Sequence, residues 1–199
     1  MKFSVGIAVA LGALVAFDDP KKSSAPSTKP RVQFTTDLGD FIVELDADRA
    51  PKTAANFLAY VDRKLYDRGS FHRTVTKDNQ PQSPVKIEVV EAAADPKREK
   101  QFLPSIPLER TSKTKLNHLA GTISMARDVP DSAKDEFFIC LSDQPELDVG
   151  GKRNPDGQGF AAFGRVVDGM ETIRKIHQSK AKDQTLTPKV MILKARRLN

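Results

Sequence analysis

A permanently charged guanidinium in an otherwise apolar strand is the residue whose chemistry most needs an explanation. Arg73 sits in Ser70-Phe71-His72-Arg73-Thr74-Val75, a short run of aromatic and β-branched residues mixed with polar ones. A lone charge buried there would be too costly, so it must meet a partner or open onto a cleft. Two chemistries fit: a structural ion pair, or an arginine that binds or polarises a substrate. Two later stretches share the strand-like composition and look built to meet it. They are Gly121-Thr122-Ile123-Ser124-Met125-Ala126-Arg127 and Asp135-Glu136-Phe137-Phe138-Ile139-Cys140.

Other chemistries find less support. His72, His118 and His177 are far apart and there is one cysteine, so metal-ligand spacing is absent and neither metal nor cofactor is expected. Cys140 can form no intramolecular disulfide, and in its apolar run it reads as buried filler. His72 and His118 read as structural, hydrogen-bonded or packing residues, and His177 as partly exposed. Asp131-Ser132 with the distant His72 could suggest a hydrolase, but no strained nucleophile turn surrounds Ser132. Gly150, Gly151, Gly157 and Gly159 do not link a strand to a helix, so they do not cradle phosphate. They read as an insertion loop near the edge of the site.

The elements that must position Arg73 follow from the rest of the chain. With 199 residues, one domain plus appendages is expected, with apolar content sufficient for a core. The net charge of +6 comes from scattered Lys and Arg with no long basic run, which argues against nucleic-acid binding. Residues 1–17 carry Lys2 and then an uncharged apolar run too short for a comfortable membrane span. They read as a signal peptide, or as an N-terminal anchor if uncleaved. The chain is therefore expected to be exported, periplasmic or secreted, with no stable membrane span unless that segment is retained. Residues 18–30, with Pro20, Pro26 and Pro30, read as a flexible linker, and residues 31–199 as the folded domain.

Within the domain, Val32–Thr35 and Phe41–Leu45 flank the turn Asp37-Leu38-Gly39-Asp40 as a hairpin. Pro51 opens a helix whose stripe is Ala54, Phe57, Leu58 and Val61. The segment 85–91 reads as a strand and 92–114 as a surface excursion with one helical turn. Further strands are expected over 116–126, 136–141, 160–167 and 190–195. A second helix follows Asp168-Gly169, with Met170, Ile173, Ile176 and His177 on one face. Seven or eight strands and two helices, with few crossovers, make an all-β fold. A closed antiparallel barrel capped by the helices removes exposed edges, and a sandwich is the alternative.

As a set, these motifs resemble the cyclophilin-type peptidyl-prolyl cis-trans isomerases, over residues 32–196. The matching pieces, in order, include Ala50-Pro51-Lys52-Thr53 with Asn56-Phe57, Tyr66 with Phe71-His72-Arg73, and His118 through Arg127. Phe137-Phe138-Ile139, Leu147-Asp148 and Phe163 through Met170 complete them. The resemblance implies an eight-stranded barrel and acceleration of Xaa–Pro isomerisation in folding proteins by a monomer acting on proline-containing polypeptides. It implies Arg73 as the catalytic residue. It places Phe138, Leu147, Ala126, Arg127, Glu91, Glu136, Val89, Phe160 and His72 at the substrate.

This chain departs from the family pattern in several places. Glu91 and Glu136 stand where the family has glutamines, and a carboxylate can accept but not donate. Glu146 falls at the family's tryptophan, Phe160 at its histidine, and Glu88 and Val89 near its pocket aromatic and methionine. Both carboxylates are expected to pin Arg73 and weaken catalysis. A proline-peptide binding module with little turnover is thus the alternative function.

Overall fold

The computed structural model describes Met1 and residues 29–198, so the expected signal or anchor segment beyond Met1 and most of the expected linker lie outside the described residues. The strands are β1 (Arg31–Thr36), β2 (Gly39–Leu45), β3 (Ser70–Val75), β4 (Val89–Ala93) and β5 (Thr122–Met125). They continue with β6 (Phe137–Cys140), β7 (Ala161–Asp168), β8 (Ala181–Lys182) and β9 (Thr185–Leu198). The sheet runs β1-β2-β7-β5-β6-β4-β3-β9, and β9 pairs back onto β1, so eight antiparallel strands close into a barrel. The two-residue β8 hangs on β9 as an extra hairpin arm. Closure satisfies the backbone groups that an open sheet would leave at its edges. Among the described residues no helix is long and apolar enough to cross a membrane.

The helices are α1 (Pro51–Asp62), the single turn α2 (Thr111–Thr114) and α3 (Met170–His177). Proline at the start of α1 lacks the N–H that would have no partner there. The next free N–H groups are met from a distance: Glu109 accepts from the backbone of Lys52 (3.2 Å) and Thr53 (2.7 Å). A carboxylate at a helix N-terminus also suits the helix dipole. At the start of α3, Gly169 has φ 79°, and a Cβ there would lie 2.4 Å from Asp40 O, so only glycine fits the β7–α3 corner. Thr172, Ile173 and Ile176 bury the inner face of α3.

The barrel is filled, not hollow. Phe34, Phe41, Phe57, Tyr66, Phe71, Phe137 and Phe163 interlock inside it; Phe57 lies 5.1 Å from Phe163 and 5.5 Å from Phe137 between ring centroids. A second, smaller apolar cluster lies on the outer face: Val75, Ile87, Val89, Phe138, Cys140 and Leu147, with Ala126 and Phe160 packed against it. The two-residue period of strands generates both clusters. In β6, Phe137 and Ile139 join the barrel core while Phe138 and Cys140 join the outer one. In β4, Val90 and Ala92 face in, and Val89 faces out.

Several expected boundaries move. The segment 85–91 becomes strand only at Val89, because the Gln80 side chain occupies the backbone of Ile87: Nε2 donates to Ile87 O (2.8 Å) and Oε1 accepts from Ile87 N (3.3 Å). The expected strand over 116–126 shrinks to β5, since His118 turns inward to Asp148 and Gly121 adopts φ 82°. The closing strand lengthens from 190–195 to all of β9, which serves two neighbours, β1 and β3.

Candidate active site

The guanidinium of Arg73 reaches the outer face through a fault in strand register. Phe71 pairs with Ala92, yet Arg73 pairs with Glu91, so His72 is an extra residue opposite that step. Without this bulge, residues two apart would share a face, and Arg73 would enter the barrel beside Phe71. With it, Phe71 stays in the core and Arg73 lines a hollow of about 510 Å³ outside the barrel wall.

The hollow is where the outer cluster opens. Ile87, Val89, Phe138, Leu147 and Phe160 give it an apolar floor and side, with Phe160 edge-on to Phe138 at 5.4 Å. Arg73, Glu91, Glu136, Ala126 and Arg127 stand around it. Of the residues that the resemblance places at the catalytic step or the substrate, all line this hollow except His72. His72 lies behind Glu91, its Nε2 4.0 Å from Glu91 Oε1, and faces neighbouring grooves. Burial lowers its pKa below the ordinary imidazole value, outweighing the opposing attraction of Glu91. Glu88, expected near the pocket, points elsewhere and accepts from Ser142 Oγ at 3.0 Å. Ile87 takes that place.

Arg73 is not pinned by two carboxylates. Its Nη1 donates to Glu91 Oε2 (2.9 Å), but its Nε (2.9 Å) and Nη2 (2.6 Å) both donate to the amide oxygen of Gln184. A guanidinium carries five N–H groups. One on each terminal nitrogen is therefore left without a protein partner among the described residues. The side chain is 37% exposed, so those hydrogens are reachable.

Glu136 makes no bond to Arg73 among the described residues. It faces Glu91 instead, and its carboxyl is pushed up to about 7 by burial in the cleft and then by the negative charges of Glu91, Asp135 and Asp128. At neutral pH it therefore keeps its proton for much of the time. A protonated carboxyl can donate, which returns to this position the ability that replacing an amide by a carboxylate removes.

Support for the hollow comes from behind and from the side. His118 is buried and stacks under Phe138, 5.8 Å between ring centroids and 15° from parallel. Its ring is fixed at both ends: Nδ1 lies 2.6 Å from Asp148 Oδ1 and Nε2 lies 2.9 Å from Ser124 Oγ. Asn56 Nδ2 and Tyr66 Oη donate to the carbonyls of Lys134 and Asp135, holding the strand entry that presents Glu136. On the side, residues 149–159 form an Ω-like loop pinched at its neck by Phe160 N donating to Leu147 O (3.0 Å). Gly159 closes that neck at φ 65°, where a Cβ would fall 2.7 Å from Leu147 O. Arg127 is clamped to this loop, donating to Asp156 (2.7 and 2.9 Å) and to Gly159 O (2.9 and 2.6 Å). It also lies over the Phe160 ring at 5.2 Å.

Sequence reasoning did not single out Gln184, Arg153 or Ile87. Gln184 is remote in sequence and reaches Arg73 only through the β8–β9 hairpin. Arg153 lay within a loop identified by its glycines, with no pattern to mark one residue.

Comparison with known proteins agrees with the geometry. Residues 31–197 match the family described as cyclophilin type peptidyl-prolyl cis-trans isomerase/CLD. The chain is 34% identical over 155 residues to peptidyl-prolyl cis-trans isomerase A of Dickeya dadantii, covering 77% of this chain and 74% of the relative. It is 31% identical over 146 residues to peptidyl-prolyl cis-trans isomerase B of Escherichia coli, covering 73% and 82%. A crystal structure of a cyclophilin type peptidyl-prolyl cis-trans isomerase from Cryptosporidium parvum, solved in the presence of the dipeptide Ala-Pro, superposes with a TM-score of 0.68. That pair is 21% identical, with 85% of this chain and 99% of the other covered, which supports the shared fold. Barrel, outer slot, rim arginine and sequence kinship agree, and the chain belongs to the cyclophilin-type peptidyl-prolyl cis-trans isomerases.

Proposed function

We propose that the hollow seats a proline ring of a polypeptide and that Arg73 lowers the barrier to rotation about the preceding amide. The chain is a peptidyl-prolyl cis-trans isomerase, so no bond to the substrate is made or broken. The barrier of about 20 kcal/mol arises from partial double-bond character in the C–N bond. As the amide twists, its nitrogen recovers a lone pair. An N–H of Arg73 can donate to that nitrogen, and does so better the further the bond has turned. Such a contact stabilises the transition state more than the ground state.

The remaining residues fit that task. Phe138, Leu147, Val89, Ile87 and Phe160 would take the ring out of water. Ala126 would offer backbone to the extended peptide, and Arg127 braces the wall. Glu91 and Gln184 hold Arg73 in one orientation before substrate arrives, so little reorganisation is needed in the act.

The observation that carries this reading is the placement, beside an apolar slot bordered by Phe138 and Leu147, of two Arg73 N–H groups that have no partner among the described residues. The test is exchange NMR on an Ala-Pro peptide with the wild-type protein and Arg73→Ala. The wild type should accelerate exchange, and the variant should lose about 99% of kcat/KM, in line with removal of a preorganised donor. A variant that keeps its turnover would overturn the role given to Arg73 and favour a binding module.

A further inference from the structure

Three guanidinium groups line the hollow, and two of them are neutralised: Arg73 by Glu91 and Arg127 by Asp156. The third, Arg153, has no carboxylate partner among the described residues. Its Nη1 donates to the Gln80 amide oxygen (2.9 Å), to Ser83 Oγ (2.6 Å) and to Val85 O (2.8 Å), all neutral acceptors. Its Nε and Nη2 make no bond to the described residues. These contacts fix the head group beside the slot floor, since Gln80 is itself paired with the backbone of Ile87.

The two acids nearest in sequence are already engaged, Asp156 with Arg127 and Asp148 with His118, and Glu146 is diverted. Its side chain accepts from Lys152 N (2.7 Å), and its carbonyl accepts from Arg153 N (3.1 Å). Burial, and secondarily the charge of Arg73, lower the Arg153 pKa below the ordinary guanidinium value. Both effects mean that the cation is held at some cost, which an arriving anion would relieve.

The rest of the rim sharpens this asymmetry. Asp128, Asp135 and Glu136 line the cleft as well, with Lys134 among them. A carboxylate near Asp128 and Asp135 is repelled, while one near Arg153 meets an uncompensated cation in a half-buried place, where charge pairing is stronger than in open water.

We infer that Arg153 makes this isomerase selective for polypeptides with a Glu or Asp directly beside the proline, on one side of it only. The inference rests on the isomerase reading above and adds to it a substrate class. The one-sidedness follows from the separate segments that carry the charges: Arg153 on the loop bonded to Gln80, Ser83 and Val85, and the acids within residues 128–136.

The test is exchange NMR on the full chain with two peptide series. One places Glu, Gln or Lys before the proline and the other places them after it. In one series the wild type should favour Glu over Gln by about threefold and over Lys by about tenfold in kcat/KM, the scale of a partly screened charge pair. In Arg153→Gln the ratio of Glu to Gln should fall to about one, whatever the absolute rate, and Arg153→Lys should keep the direction of preference. No Glu preference in either series, or an unchanged ratio in Arg153→Gln, overturns the inference. If Arg153→Gln does not fold, the wild-type ratio at about 0.5 M NaCl decides, since a ratio insensitive to salt contradicts a charge origin. A wild type inactive on Ala-Pro would defeat the isomerase reading alone. Titration of the same Glu, Gln and Lys peptides, followed by chemical shift, would then decide the selectivity on binding.

Discussion

Gln184 Oε1 accepts from both Nε and Nη2 of Arg73, at 2.9 and 2.6 Å. The amide is oriented in turn by its Nε2 donating to Asn79 O (3.0 Å), and its backbone carbonyl accepts from Thr74 N (2.9 Å). Gln184 therefore acts through Arg73, as a positioning residue. Gln184→Ala should lower kcat about tenfold with little change in KM, because the proline slot is untouched while the donor loses its orientation. In an Arg73→Ala background the same change should have no further effect on kcat. A double-mutant cycle in the exchange assay checks both.

Glu136 sets the expected pH dependence. Its carboxyl titrates near 7 in the folded protein, against an ordinary value of 4.5. Below 7 it is neutral and can donate. Above 7 it adds a second negative charge beside Glu91, which repels substrate carbonyls and competes for Arg73. Catalysed exchange should fall about threefold to tenfold between pH 6 and 8, and Glu136→Gln should flatten the profile. Stability follows the same sign. Between about 4.5 and 7 the folded chain holds a proton that the unfolded chain has released, so this group's contribution shrinks as pH rises through that window. Urea unfolding at pH 5.5 and 7.5 should show a smaller pH difference for Glu136→Gln than for the wild type.

The barrel and most of the slot were legible because strand alternation and short motifs are local properties. Phe137 in and Phe138 out can be read from adjacent letters once β6 is identified. What escaped depends on contacts distant in sequence. The Gln80 amide replaces a strand partner for Ile87, which shifts the start of β4 and moves Ile87 into the place expected for Glu88. Gln184 is 111 residues from Arg73. The weakening expected from Glu91 and Glu136 assumed both would be ionised and both would reach Arg73. Burial, and then the charge of Glu91, instead push the Glu136 carboxyl up to about 7, and it makes no bond to the guanidinium among the described residues.

His118 and Asp148 are expected to show that the slot floor depends on a buried polar pair. Asp148 Oδ1 accepts from both the ring (2.6 Å) and the backbone N–H (3.1 Å) of His118. Asp148→Ala strands these donors beneath Phe138 and should cost about 2 kcal/mol of stability. The freed imidazole should also loosen the Phe138 ring, so KM for an Ala-Pro peptide should rise about threefold or more. Urea unfolding and peptide titration separate the two effects.

The bulge at His72 makes the sharpest prediction, because one extra residue bends the strand that carries Arg73. Deleting His72 leaves Phe71 opposite Ala92 and Arg73 opposite Glu91 as consecutive ladder steps, so Phe71 stays in the core and Arg73 stays on the slot face. What the deletion removes is the local bend and twist of the bulge, which aims the guanidinium. The deletion variant should therefore fold, with kcat on an Ala-Pro peptide lowered about tenfold as the donor loses its aim. His72→Ala keeps the residue count and the bulge, and should fold with a Tm within a few degrees of the wild type. A deletion variant with full kcat would show that the bulge does not aim Arg73 at the slot.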